Sequence, residues 1–469
     1  MAKHISRRSF ALGVGAAAVA GKAIAQPQPV GTPPTTLGYS TPSTTGFPAI
    51  LRGTLDATTY FTKTGGVLGT GQTTLQRQTN ATQLQAAITA AINGNKFFEL
   101  EEGIYEINSS AGLIIVAQTF GGFGFVWRGA RGGTYINQFY TGGSGAPVLT
   151  IGDPTGATIF AGLDFDGVTL GYGTAVTGLT AAQTLVIGSA AWGRITGIVV
   201  GQGGAATPGY DGVYIYNNSS QNFFSMTCMG WQINGAQRTL LNAPNAMGTG
   251  NRFDNIYLNN GGSGIFNPVT GYYATFGTAI GTETTFGQLN CEWGAANVLL
   301  DIEGAYGMTF ECLHIEGIQL TGFNPTVVQT ANSRLNIQTM EFDDCQILSA
   351  NVTGTPKIFR DYTPLGSNVA VTNLNFVTFL ATQINTAFTV MSPDVPSTDV
   401  GCYSINKMQF QDQTGTGQYA NVTIDSHMPV SSTAFLAPER IGNYPGASPD
   451  RWLIRVSTTS APPIPTMVS

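Results

Sequence analysis

Charge is scarce in this chain. Only 10% of its 469 residues are Asp, Glu, Lys or Arg, and only 20 are basic. Nucleic-acid binding needs a basic face to displace counterions, so no nucleic acid is expected as a partner. A polyanionic sugar chain is disfavoured for the same reason, although a local basic groove can overrule net charge. No stretch beyond the first 25 residues is long and apolar enough for a transmembrane helix, so no membrane span is expected. Cysteine is sparse as well. Cys228, Cys291, Cys312, Cys345 and Cys402 are odd in number and show no CxxC spacing. A disulfide framework would have an even set at tight intervals, and a zinc site would have paired ligands. Buried free thiols are the expectation, with no metal and no cofactor.

Against these absences stand 61 glycines, 23 prolines and many Asn and Thr residues, a composition of β-structure with many turns. At the N-terminus, "SRRSFALG" sets Arg7 and Arg8 before an apolar run from Phe10 to Ala20, and "AIA" at 23–25 offers small residues for cleavage. The segment 1–25 resembles a twin-arginine signal, which exports folded proteins to the periplasm or beyond. Removing it leaves sixteen basic residues against 26 acidic ones, so the mature chain carries a charge near −10. Residues 26–80 begin as a Pro/Thr/Gly-rich linker without apolar periodicity. Residues 426–469 are read as a C-terminal tail.

Helical periodicity occurs once, in "ATQLQAAITAAINGNK". Leu84, Ile88 and Ile92 recur four apart, Asn80 or Thr82 can cap the start, and Gly94 ends it. "KFFELEEGIYEI" follows as a strand with a Gly turn, and "GFVWRGARGGTYI" is another tight turn between strands. A repeat then runs through the chain, written Φ-x-Φ-z-z-Φ-x-Φ-p, where Φ is usually apolar. Its nine copies are read at 158–166, 193–201, 224–232, 251–259, 284–292, 308–316, 335–343, 369–377 and 403–411, spaced 24 to 35 residues apart. Each copy holds two short strands, and a two-residue bend breaks parity so that both strands face one interior. A bend that returns with the same inward faces describes a solenoid, whose coils bury their apolar rows only against neighbours. The alternative, an antiparallel sandwich, would need hairpin turn pairs at regular distances, and few are present. The expected fold is therefore all-β: a right-handed parallel β-helix over 81–425 with an N-terminal capping helix.

The helix "QLQAAITAAING" followed by "FELEEGIYEI" resembles the N-terminal cap of the pectate-lyase-like superfamily. That group of right-handed parallel β-helices includes polysaccharide lyases, glycoside hydrolases and phage tailspikes. The resemblance covers roughly residues 80–420 and implies a polysaccharide or oligosaccharide substrate, with a homotrimer as an assembly to test. The Asn-Thr-Asp and Gly-His-Gly motifs of polygalacturonase-type hydrolases are missing, and only "FDDC" at 342–345 is reminiscent of their Asp pair. The Trp-Ile-Asp-His stretch of pectate lyases is also absent.

Register locates the candidate chemistry. In repeats five to seven the inward pairs read Leu289/Cys291, Leu313/Ile315 and Met340/Phe342, and the outward pairs Asn290/Glu292, His314/Glu316 and Glu341/Asp343. Strands in a sheet lie about 4.8 Å apart, so Glu292, Glu316 and Asp343 should form one file of carboxylates, with Asn290, His314 and Glu341 in a second. Like charges at that spacing repel and should raise at least one pKa. Splitting of carboxylate pKa values is what acid/base cleavage of a glycosidic bond requires. Glu316, with Glu292 or Asp343 as its partner and His314 assisting, is the expected catalytic set. Acids on the outward face of a strand are equally compatible with simple solvation. Glu341, Asn290, Tyr257, Trp293 and Glu311 are the expected substrate-binding residues. The aromatic pair could stack on a sugar, while Glu311, like Asp254, occupies a bend position. Asp164 and Asp166 in "LDFDG" lie about 19 Å from Glu292 by rung spacing and are read as structural. A β-eliminating lyase and a non-catalytic glycan-binding adhesin remain the alternatives, because β-helices host all three.

Overall fold

In the computed structural model the structure describes residues 53–411, apart from loop segments of which the longest are 202–209, 260–271, 362–370 and 394–401. It also describes the strands at 435–440 and 451–457. The expected export signal at 1–25 and most of the expected tail lie outside the described residues. The chain winds into a right-handed parallel β-helix, a fold whose crossovers take the usual hand. Each coil contributes to two faces. One is a long sheet in which each coil supplies one strand or a bent pair; the other is a ten-stranded sheet running from Leu113–Ile115 to Thr389–Pro393. Every pairing between coils is parallel, including Thr285–Ala296 with Tyr306–Leu320 and Tyr306–Leu320 with Arg334–Asp343.

The repeat works because its Φ positions are the core. Phe286, Leu289 and Cys291 are buried, as are Met308, Phe310, Leu313, Ile315, Leu335, Ile337, Met340 and Phe342. Stacking the same position on successive coils builds aromatic ladders. Phe253, Phe286 and Phe310 stack at centroid spacings of 4.8 and 4.9 Å, and Phe98, Trp127 and Phe165 at 4.4 and 4.8 Å. Those spacings match the rise between strands, so each ring keeps near-parallel contact with the next. Among the described residues, two coils precede the nine read from the sequence. They are formed by Phe97–Leu100 with Gly103–Ile107, and by Val126–Gly129 with Thr134–Gln138.

Three repeat windows shift. Phe165 pairs with Ile195 and Leu170 with Val200, so the first copy is 163–171 rather than 158–166. Cys228 pairs with Phe253 and Ile233 with Leu258, which moves the third copy to 226–234. Leu374 pairs with Ile337 and Phe379 with Phe342, moving the eighth to 372–380. In the first copy Phe160 and Leu163, both buried, offer an apolar frame five residues early; in the third, Met229, taken as inward, is 47% exposed. The shift has a chemical consequence: Asp164 and Asp166 sit on the first strand and bend of their coil, not on the outward face of the second strand.

The cap also differs at its start. Helix α1 spans Ala57–Lys63 and α2 spans Thr74–Asn93, so the boundary expected at residue 80 falls inside α2. Thr73 is the N-cap, its hydroxyl accepting from the Gln76 N–H at 3.2 Å, and Gly94 ends the helix as expected. Asn80 is fully buried instead of capping. Its amide bonds the Val67 N–H and carbonyl and the Glu106 carbonyl, at 2.9–3.0 Å. Glu106, 3% exposed, accepts from the N–H groups of Gly71 and Gln72 and from Arg77 at 2.8–3.0 Å. Gln85 of α2 bonds both backbone groups of Ile114, satisfying an edge strand of the ten-stranded sheet that would otherwise invite pairing with another chain. At the far end Arg451–Ser457 pairs antiparallel with Cys402–Gln411 and with Phe435–Arg440, so part of the expected tail adds strands to the last coil. Cys228, Cys291 and Cys345 are buried free thiols and Cys312 is a half-buried one; the side chain of Cys402 lies outside the described residues. Among the described residues no helix is long and apolar enough to cross a membrane.

Candidate active site

The two outward files have the register expected from the sequence. Glu292 pairs with Glu316 and Glu316 with Asp343, while Asn290 pairs with His314 and His314 with Glu341. The acids end abruptly: Asn259 precedes Glu292 in its file and Leu380 follows Asp343. Tyr257 sits immediately before Asn290 in the second file, and Thr378 follows Glu341. Inward burial of Leu289, Cys291, Leu313, Ile315, Met340 and Phe342 turns the side chains of Glu292, His314, Glu316, Glu341 and Asp343 to the exterior, because a one-residue slip would turn every apolar group to solvent.

His314 is the hub. Its Nε2 lies 3.3 Å from a carboxylate oxygen of Glu316 and its Nδ1 lies 3.6 Å from one of Glu341. The imidazole therefore stands between a carboxylate on its own strand and one on the next rung. The side chains of His314, Glu316 and Glu341 are 20%, 35% and 32% exposed, which leaves them reachable yet partly shielded from water. Asn290 is 2% exposed; its amide donates to the Ile256 carbonyl and accepts from Gln288, so it is a buried spacer between Tyr257 and His314. Glu292 has its carboxyl pushed above the usual range, first by burial and then by the negative charge of Glu316, with His314 offsetting part of this. One member of the file thus departs from ordinary carboxylate behaviour, chiefly through its burial and secondarily through the charge on the next rung.

Trp293 follows Glu292 at a corner where the backbone is left-handed, with φ of 54°. It is 48% exposed, and its ring lies over Gly317 of the next rung, where an added Cβ would come within 2.6 Å of it. Glycine at 317 therefore seats the indole beside Glu316. Glu311 is not in the acid files. It is ion-paired with Arg252 at 3.2 Å across an intervening rung whose matching residue is Gly287. That pair was not legible in the sequence, because Arg252 and Glu311 are separated by one full repeat between their own. Among the described residues no group of three or more His, Cys, Asp or Glu side chains is disposed to hold a metal ion.

Asp164 has a different setting. Arg128 and Arg194, on the rungs either side, both donate to it, Arg128 at 2.6 Å and Arg194 through Nη2 at 3.1 Å. Burial raises its carboxyl, but the hydrogen bonds and charges of the two arginines outweigh this and hold it below the usual range. Asp166 accepts from the Thr196 hydroxyl at 2.6 Å.

No protein-family model matches the sequence, and no curated protein matches it. Among solved structures, the gp42 tailspike of Acinetobacter phage vb_AbaP_AS12 aligns with a TM-score of 0.46 and 11% identity, covering 79% of this chain and 66% of that one. The Agl-KA catalytic domain aligns with a TM-score of 0.32 and 11% identity, covering 78% of this chain and 69% of that one. The chain thus spans about two thirds of the length of each. At this identity the likeness is one of chain path, and the architecture rests on the strand register itself.

Proposed function

We propose that the mature chain is an exported carbohydrate-active protein that hydrolyses glycosidic bonds of a polysaccharide. The observation that carries this reading is the file Glu292–Glu316–Asp343 on consecutive rungs, flanked by a histidine that contacts two carboxylates. Glu292, whose carboxyl is raised, is the proton donor to the leaving oxygen. Glu316, beside His314, is the partner carboxylate that attacks the anomeric carbon or activates water. Environments that push neighbouring carboxylates apart in pKa divide these roles. Rungs are about 4.8 Å apart, so the Glu292–Glu316 pair supports the retaining geometry of about 5–5.5 Å. Asp343 would form the wider pair with Glu292. Trp293 offers a stacking face beside the pair, and Tyr257 and Glu341 border it as hydroxyl partners for neighbouring sugars.

The test is a screen of the mature protein against neutral and acidic exopolysaccharides. Release of reducing ends without the ultraviolet absorbance of unsaturated products supports hydrolysis. Unsaturated products would replace this reading with a lyase, and binding without turnover would replace it with an adhesin. Turnover that survives Glu316→Gln would remove the site assignment.

A further inference from the structure

A second exposed tryptophan occupies a strained corner far from the acid file. The corner before the first strand is turned by a left-handed residue on six successive rungs: Gly162, Trp192, Ser225, Gly250, Glu283 and Gly307, with φ between 51° and 80°. Register places them in one column, since Ala191 pairs with Ala161 and Phe224, and Arg252 with Thr227 and Thr285. Glycine takes this conformation without strain, whereas an L-residue loses roughly 1–2 kcal/mol there and a bulky one is a genuine outlier. Trp192 has a φ of 52° and remains 64% exposed, so core burial does not compensate the strain. Strain kept without burial points toward function.

The surroundings say what the indole faces. An open groove of about 530 Å³ runs past it, and Asp164, Arg194, Ser225, Thr227 and Met229 line that groove with Trp192. Its size is in the range of small-ligand sites. Phe224 meets the indole edge-on at 5.2 Å, bracing the ring from the following rung. Arg194 is immobilised by its two bonds to Asp164, and these use only part of the five donors of a guanidinium. Asp166 is also near enough to act on Arg194. Of the residues that line the groove, Arg194 balances Asp164, and the groove has no net charge to attract an ionic ligand.

We infer that Trp192 and the groove beside it form a non-catalytic subsite for a neutral sugar ring, separate from the acid file. The apolar C–H face of a pyranose stacks on the indole, and its hydroxyls meet the fixed guanidinium and carboxylate and the Ser225 and Thr227 hydroxyls. An amphipathic aromatic beside pre-ordered polar groups suits such a ligand. The subsite lies three rungs before Glu292, about 14 Å along the helix axis, and at another corner of the coil. It would hold a stretch of polymer several sugars away from the bond under attack. The identity of the polymer rests on the carbohydrate reading above; the binding site does not.

The test is calorimetric binding of neutral oligosaccharides of increasing length, measured on the Glu316→Gln chain so that no turnover is needed. Trp192→Ala in that background is expected to weaken binding by about tenfold or more, the loss typical of removing a buried-on-binding aromatic anchor, while Trp192→Phe retains most of it. Trp192→Gly keeps the test independent of folding, because glycine relieves the corner and the chain should unfold at no lower urea concentration. Equal affinity in Trp192→Ala and its parent would overturn the subsite. So would the absence of binding by any neutral oligosaccharide in the panel. Trp192-dependent binding in a protein that cleaves nothing would retain the subsite and remove the hydrolase; cleavage without Trp192-dependent binding would do the reverse.

Discussion

Asp164 and Glu292 are both carboxylates on the outside of one solenoid, four rungs apart, and the chain treats them in opposite ways. Asp164 is gripped by an arginine from the rung before and another from the rung after, and its carboxyl lies below the usual range. Glu292 faces Glu316 on the next rung, and its carboxyl lies above that range. The first arrangement joins coils; the second opposes joining them. Like charges stacked at strand spacing are a local cost that the ladder of buried residues beneath must offset. Under the function proposed above, the acids that weaken the fold are the ones expected to carry the chemistry, and those that strengthen it are structural.

The largest effect that would break this contrast is on turnover. Glu316→Gln is expected to lower kcat by about 10²–10⁴-fold, the range for removal of a general acid/base. Reducing-end assays on whichever polysaccharide is cleaved would measure it, with circular dichroism to show that the coil is retained. Retained turnover would reduce the acid file to a solvated face.

Asp164→Asn tests the other side. Losing a charge held by two arginines should destabilise the chain by about 1–2 kcal/mol at neutral pH, after allowing for solvent screening of partly exposed partners. A depressed carboxyl contributes stability that is present above its unfolded pKa and is lost as pH falls through its folded value. The difference between Asp164→Asn and the parent, read from urea midpoints, should therefore shrink on acidification.

Glu292→Gln should have the opposite sign. A raised carboxyl means that the folded chain binds the proton more tightly than the unfolded chain. Its stabilising contribution is full below the unfolded pKa and is lost as pH rises through the folded value. Removing the charge should stabilise the chain at neutral pH by about 0.5 kcal/mol, discounted for exposure, and the gain should vanish under acid. A urea series at neutral and acidic pH decides it. Stabilisation combined with lost turnover would be the trade expected of a site retained for function.

How much of this the sequence carried depends on parity. From repeat four to repeat seven each Φ position is apolar or a buried polar residue and the outward positions are polar, so the acid files could be read without coordinates. Asp164 could not be placed, because Phe160 and Leu163 imitate the repeat five residues early. Only pairing between coils distinguishes the two frames. The start of α2 was hidden differently: Asn80 has the chemistry of a cap, but here its amide ties a loop to a strand across the helix. Trp192 gave no signal at all. Its left-handed backbone belongs to a corner just outside the repeat, where local sequence sets no pattern.

The smallest effect concerns the seam between the two regions. Arg252 stands on repeat four and reaches Glu311 on repeat six, and it also contacts Asp254 at 3.3 Å. The rung between has Gly287, where a Cβ would lie 2.5 Å from an Asp254 oxygen and 2.9 Å from the Arg252 guanidinium. Both groups are ends of flexible side chains, so Gly287→Ala should displace the bridge and leave the backbone in place. The three charged side chains are 46%, 37% and 41% exposed, and exposed pairs contribute about 0–1 kcal/mol, so the loss should be a few tenths of a kcal/mol at low salt and less at high salt. If the methyl acts only through the bridge, Gly287→Ala will cost nothing further in an Arg252→Ala background. An additive double mutant would instead place the strain in the rung itself, and the glycine would then be there for the backbone rather than to let an arginine cross it.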